Sequence, residues 1–145
     1  MKILHRPLAA AAFALAALSA GPALAAKDVV WLIVNSVNPN NFSHRTPAQA
    51  KQEIADRKIV TTAWIDDSSG TVGHLYNMKT TPDMYVIDKK GVLVYAGAID
   101  DKPDPMHDPK AARNYVHEAV DALIAGKPVE VSQTKPYGCG VHYAN

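Results

Sequence analysis

The segment from Lys79 to Asp100, KTTPDMYVIDKKGVLVYAGAID, constrains the fold of this chain more than any other. Pro82 cannot donate a hydrogen bond to a β-ladder, so it belongs at the start of a strand, which Met84 to Ile87 would form. The polar residues DKKG then supply a tight turn, and Val92 to Tyr95 return antiparallel to the first strand. The segment therefore predicts a β-hairpin that begins just after a proline.

Two further strands are predicted before this hairpin. Residues 29–34, VVWLIV, form a continuous apolar run rich in β-branched side chains, which is typical of a strand covered on both faces. Thr46-Pro47 supplies a helix N-cap and a first-turn proline, and the helix should run to about Lys58. Thr61 to Ile65 is a shorter strand, which ends in the turn cluster DDSSG.

Helices are predicted on either side of the hairpin. A brief helix should run from Thr71 to Asn77. Asp108-Pro109 should cap a longer one, whose apolar stripe comprises Ala112, Tyr115, Val116, Ala119, Val120 and Leu123. Strands that alternate with helices predict an α/β domain with a mixed sheet, in which the hairpin provides the antiparallel edge.

The N-terminal 25 residues are predicted to be a signal peptide. Lys2 and Arg6 form a basic region, Leu8 to Ala20 is rich in Ala and Leu, and Ala23-Leu24-Ala25 fits the small-x-small cleavage rule. The apolar run is too short for a permanent membrane span. We therefore expect a mature chain that begins at Ala26 and is located in the periplasm or outside the cell.

The charged and metal-ligating side chains exclude several classes of function. With 15 basic and 14 acidic side chains the net charge is +1, so nucleic acid is not an expected partner. Cys139-x-x-His142 is a two-ligand fragment without a second pair, and no metal site or cofactor is expected. Asp66-Asp67 and Asp100-Asp101 are interpreted as turn and capping residues.

Four segments together resemble one family: DVVWLIVNS, DDSSGTVGHLYNMKTTPDMYVID, GVLVYAGAIDDKP and KPYGCGVHY. They are similar to the C-terminal portion of exported thioredoxin-like redoxins of the alkyl hydroperoxide reductase and thiol-specific antioxidant superfamily. The resemblance implies a cis peptide at Thr81-Pro82 that borders a substrate groove. Longer redoxins of this type have a further strand, a loop with the reactive cysteine and a helix ahead of the counterpart of Val29 to Val34.

The resemblance therefore implies an incomplete thioredoxin-like sheet, whose central strand and first helix are missing. The expected domains are a signal peptide at 1–25, a partial thioredoxin-like domain at 26–128 and a C-terminal tail at 129–145 that carries the single cysteine. Without the central strand, two apolar sheet edges would be unpaired. Three outcomes are open: direct pairing of the first strand with the hairpin, completion by a partner's strand, or a marginal and partly unfolded product.

Cys139 is the candidate catalytic residue, as a redox thiol, and Thr81 and Pro82 are the candidate groove residues. The resemblance implies a redoxin, related to thiol-dependent peroxidases and disulfide oxidoreductases. Because a single cysteine cannot form an intramolecular disulfide, its independent activity is expected to be weak or absent. The expected partner is a thiol-disulfide partner protein, or a second copy of the chain in a homodimer formed through Cys139 or an open sheet edge. The alternatives are a non-catalytic binding or assembly module in the periplasm, and a gene fragment without a function of its own.

Overall fold

The computed structural model describes residues 29–104 and 106–144, together with the backbone of a strand at 11–13. The strands are β1 (Ala11–Phe13), β2 (Val30–Asn35), β3 (Ala63–Asp66), β4 (Thr80–Thr81), β5 (Met84–Ile87), β6 (Leu93–Gly97) and β7 (Cys139–Gly140). The helices are α1 (Pro47–Asp56), α2 (Thr71–Leu75) and α3 (Tyr115–Ile124), and a 3₁₀ turn lies at Pro109–Ala111.

Five strands form one mixed sheet in the order β3-β2-β1-β5-β6. β2 pairs in parallel with β3, and β5 pairs antiparallel with β6, as the hairpin pattern predicts. β4 and β7 form a separate two-stranded antiparallel sheet. The predicted α/β class with a mixed sheet is therefore confirmed.

For the chain with residues 1–25 in place, the expectation that the central strand is missing was wrong. β1 lies between β2 and β5, parallel to the former and antiparallel to the latter, so that Ala12 stands opposite both Trp31 and Val86. None of the three expected outcomes describes this sheet, because a segment of the same chain satisfies both backbone edges. β1 belongs to the predicted signal peptide, and cleavage after Ala25 would remove it. The cleavage site and any first helix lie outside the described residues.

α1 begins where the sequence predicts and ends earlier. The side chain of Thr46 accepts a hydrogen bond from the backbone N–H of Gln49, and the side-chain oxygen of Gln49 accepts one from the backbone N–H of Thr46, which completes a capping box. The helix ends at Asp56 rather than near Lys58. Lys58 has a φ of 52°, a left-handed conformation that cannot continue the helix.

The predicted start of α3 at Asp108-Pro109 was wrong. The side chain of Asp108 accepts from the N–H of Lys110 and caps only the 3₁₀ turn, which ends because Ala112 is extended. α3 begins after Asn114, whose side chain accepts a hydrogen bond of 2.8 Å from the N–H of His117. Ala112 therefore does not lie on the helix.

The core lies between α3 and one face of the sheet. Its largest fully buried side chains are Tyr95, Met84 and Val86, and Trp31 of β2 joins them. From α3 the core receives Val116, Ala119 and Val120, which all belong to the predicted apolar stripe. No helix in the described part of the chain is long and apolar enough to cross a membrane.

Candidate functional site

The three candidate residues named from the sequence lie together in the fold. The Thr81-Pro82 peptide is cis, and Cys139 of β7 stands directly opposite Thr81 of β4. Cys139 is a free and exposed thiol. The tail therefore places the cysteine of this chain beside the cis-proline.

A buried carboxylate, Asp67, supports the helix that precedes β4. Its oxygens accept hydrogen bonds from the hydroxyl of Ser36 at 2.6 Å and from the N–H groups of Gly73 at 2.8 Å and Val72 at 2.9 Å. Asp67 thus joins the end of β2 to the first turn of α2. The capping role interpreted from the sequence is confirmed for Asp67. The chain then turns towards β4 through a 2.9 Å bond from the N–H of Met78 to the carbonyl of Gly73.

Two tyrosines hold the tail in place on either side of Cys139. On one side, the hydroxyl of Tyr137 donates to Asp100 at 2.6 Å. On the other side, the hydroxyl of Tyr143 donates to the carbonyl of Met78 at 2.8 Å, and its ring stacks on His74 with centroids 4.0 Å apart. The sequence signal for this docking was the pair of tyrosines in an otherwise polar tail, since Tyr joins an apolar body to a polar tip.

Asp100 connects the tail to the loop that follows β6. Besides Tyr137, its carboxylate lies 3.4 Å from Nε2 of His107, while Asp100 itself is buried. Burial raises the pKa of Tyr137 well above the usual range for tyrosine, and the hydrogen bond to Asp100 and the negative charge of that carboxylate act in the same direction. The Tyr137 hydroxyl therefore remains a protonated donor to Asp100.

A second buried carboxyl, Asp83, follows the cis-proline directly and was not singled out from the sequence. It is 8% exposed and accepts a hydrogen bond of 3.3 Å from the N–H of Lys79. Burial raises the pKa of Asp83 and outweighs the backbone and Tyr85 hydrogen bonds that lower it. Burial, followed by the charge of Asp83, also raises the pKa of Tyr85 well above its usual range.

We expect the Asp83→Asn variant to be more stable than the unsubstituted protein at neutral pH. Because the folded state raises the pKa of Asp83, it binds the proton more tightly than the unfolded state does, so stability falls as the pH rises through that pKa. An amide cannot ionise, so the variant escapes this loss, and the two proteins should converge at low pH where the acid is protonated. Urea denaturation between about pH 3.5 and 7.5 measures the difference.

Asp56→Asn, which changes an exposed carboxyl at the end of α1, is the control for the loss of one negative charge. A stability difference between Asp83→Asn and the unsubstituted protein that does not increase from acid to neutral pH would contradict the raised pKa.

A largely apolar hollow of about 350 Å³ lies beside β4. Its lining includes Ile33, Ile54, Trp64, Met78, Thr81 and Val141. Across residues 29–104 and 106–144, no group of three or more His, Cys, Asp or Glu side chains is arranged to hold a metal ion.

Comparison with known proteins identifies the fold but not a family. No protein-family model and no curated protein matches the chain. Among solved structures, it is similar to a hypothetical protein, SMc02350, from Sinorhizobium meliloti 1021, with a TM-score of 0.78, 24% identity, and coverage of 95% of this chain and 80% of that one. An uncharacterized conserved protein from Geobacillus kaustophilus gives a TM-score of 0.79 and 23% identity, over 94% of this chain and 78% of that one. These likenesses show a shared α/β fold.

Proposed function

We propose that this chain is an exported thioredoxin-like redoxin that acts through mixed disulfides formed at Cys139. The observation that supports the proposal is the position of this thiol, opposite Thr81 and beside the cis peptide at Pro82. In the family that the sequence resembles, that peptide borders the substrate groove. The partner would be a protein disulfide in the periplasm or outside the cell.

The chemistry is thiol-disulfide exchange. The thiolate of Cys139 attacks one sulfur of the partner's disulfide, a new S–S bond forms between the two proteins, and the other sulfur leaves as a thiolate. A thiol of the partner or an external dithiol then resolves the mixed disulfide. Because the chain has a single cysteine, it cannot resolve the bond itself, and independent peroxidase or reductase turnover should be weak or absent.

We expect the unsubstituted protein to form a mixed disulfide with glutathione when it is incubated with glutathione disulfide, whereas the Cys139→Ser variant should form none. Intact-mass measurement before and after treatment with dithiothreitol detects the adduct and its reversal. Peroxide consumption and dithiol-dependent insulin reduction, measured on both proteins, report any turnover. Equal behaviour of the two proteins, or no adduct and no activity in either, would refute the thiol role.

Size-exclusion chromatography with and without reductant separates this proposal from a binding or assembly module. β3 forms one outer edge of the sheet, where a second chain could pair. A dimer that disappears in reductant and is absent from Cys139→Ser supports linkage through the thiol. A dimer that persists in both conditions supports assembly through the sheet edge instead.

A further inference from the structure

The hollow beside β4 is lined from three sides. Ile33 of β2 and Trp64 of β3 line it from the sheet, and Ile54 lines it from α1. Met78, just before β4, and Val141, just after β7, line the third side. Clefts with mostly apolar walls and a volume of about 300–1,000 Å³ are the usual binding sites of small molecules, and the volume here is about 350 Å³. The hollow therefore has the size and lining of a site for a small, largely apolar molecule.

Hydrogen bonds hold the walls of the hollow relative to one another. The side chain of Asn35, at the end of β2, donates to the carbonyl of Arg45 at 3.2 Å and ties the sheet to the loop that leads into α1. The N–H of Asn38 donates to the carbonyl of His142 at 2.7 Å and ties the same loop to the tail. A bound molecule would therefore meet walls that are already in place, which lowers the entropic cost of binding.

The charged residues among the described lining of the hollow carry one excess positive charge. Nε of Arg45 and Nη2 of Arg57 lie 3.2 Å and 3.1 Å from the two carboxylate oxygens of Glu53, so two cations share one anion. Nη1 of Arg45 also donates to the carbonyls of Ser43 and His44. The Arg57 side chain is 70% exposed and offers further N–H donors. Because a guanidinium binds carboxylates well, this rim favours an anionic group.

We propose that the hollow binds an amphipathic monocarboxylate of the medium-chain fatty acid class. Its hydrocarbon chain lies between α1 and the sheet, and its carboxylate lies at Arg57. Thr81, which stands opposite Cys139 in the β4–β7 pair, also lines the hollow, so the ligand lies beside the candidate redox site. Binding needs no thiol and therefore goes beyond the exchange chemistry proposed above.

The first test titrates the full-length chain with hexanoate, octanoate and decanoate. Calorimetry measures the affinity, and tryptophan fluorescence reports occupancy because Trp64 lines the hollow. We expect binding to tighten by about fourfold for each added methylene group that becomes buried. Octan-1-ol, which has a similar chain and no charge, should bind more weakly than octanoate. Absence of octanoate binding, or an affinity that does not depend on chain length, would overturn the proposal.

The second test fills the hollow. Val141 is half-buried and lines it, so Val141→Phe should weaken octanoate binding by about tenfold or more, through the loss of buried ligand surface. Val92→Phe is the matched control, because it adds the same ring at a position in the hairpin that is 54% exposed. It should leave the affinity unchanged. Equal affinities of the two variants would show that octanoate binds elsewhere.

The third test removes the charge at the rim and keeps its result even if Val141→Phe fails to fold, since Arg57 is exposed. Arg57→Gln should weaken octanoate binding by about two- to fivefold, the range for an exposed ion pair, and leave octan-1-ol binding unchanged. Lys58→Gln removes the same charge from the next residue and is the control. Equal octanoate affinities of these two variants would refute the carboxylate site. Cys139→Ser should bind octanoate as tightly as the unsubstituted protein, so failure of the exchange chemistry is distinguishable from failure of this proposal.

Discussion

Replacing Tyr95 by alanine is expected to lower the free energy of unfolding by about 3–5 kcal/mol, the range for truncating a large buried aromatic side chain. Tyr95 is 0% exposed and packs at the centre of the core. Its hydroxyl also contacts the carbonyl of Ala98 and, at 2.6 Å, the hydroxyl of Thr134. The substitution would therefore leave a cavity beneath α3 and release the start of the tail. Urea denaturation measures the loss.

Tyr95→Phe is the matched control, because it keeps the ring and removes only the hydroxyl. Its loss should be about 1–3 kcal/mol, the cost of leaving buried partners without a hydrogen bond. Equal losses in the two variants would contradict the view that packing of the ring supplies the larger part of the stabilisation.

The second large effect is expected at Asp67. Replacement by alanine should lower the free energy of unfolding by about 2–4 kcal/mol, because charge-assisted bonds are lost and buried donors are left without a partner. Asp67 is 5% exposed and accepts hydrogen bonds from Ser36, Val72 and Gly73. The first turn of α2 should loosen with it. Urea denaturation and hydrogen exchange at the amide of Gly73 measure the two consequences.

The neighbouring Asp66 offers the control for this substitution. It is exposed, and its carboxylate accepts a hydrogen bond from the N–H of Ser68 at 3.1 Å. Asp66→Ala should therefore cost less than about 1 kcal/mol. Comparable losses at the two positions would show that the buried bonds of Asp67 do not hold α2.

Local sequence signals were sufficient to predict the start of an element where one residue had only one possible structural role. Pro82 predicted the start of the hairpin strand, and Thr46 with Pro47 predicted the start of α1. The start of α3 was mispredicted because Asp108 and Asn114 are both good N-caps. Long-range bonds decided between them: the N–H of Asp101 bonds to the carbonyl of Arg113 at 3.1 Å, and this holds the chain extended just before Asn114.

The candidate site shows the same contrast between what local sequence predicts and what long-range contacts decide. Thr81, Pro82 and Cys139 could be named from their residue types and from the family resemblance. Their proximity could not be predicted, because it depends on the bonds of Tyr137 and Tyr143 to parts of the chain that are distant in sequence. The burial of Asp83 could not be predicted either, since an aspartate next to a proline has the same sequence pattern whether its carboxyl is solvated or buried.

Local sequence was thus enough for the α/β class, the hairpin, the cap of α1 and the identity of the single thiol, because these follow from side-chain chemistry and spacing within a few residues. Only the tertiary structure placed β1 between β2 and β5, and only it paired β7 with β4 beside Pro82. Both arrangements are pairings between distant backbone segments. Their hydrogen bonds use groups that every residue carries, so the side-chain pattern alone does not specify the partner.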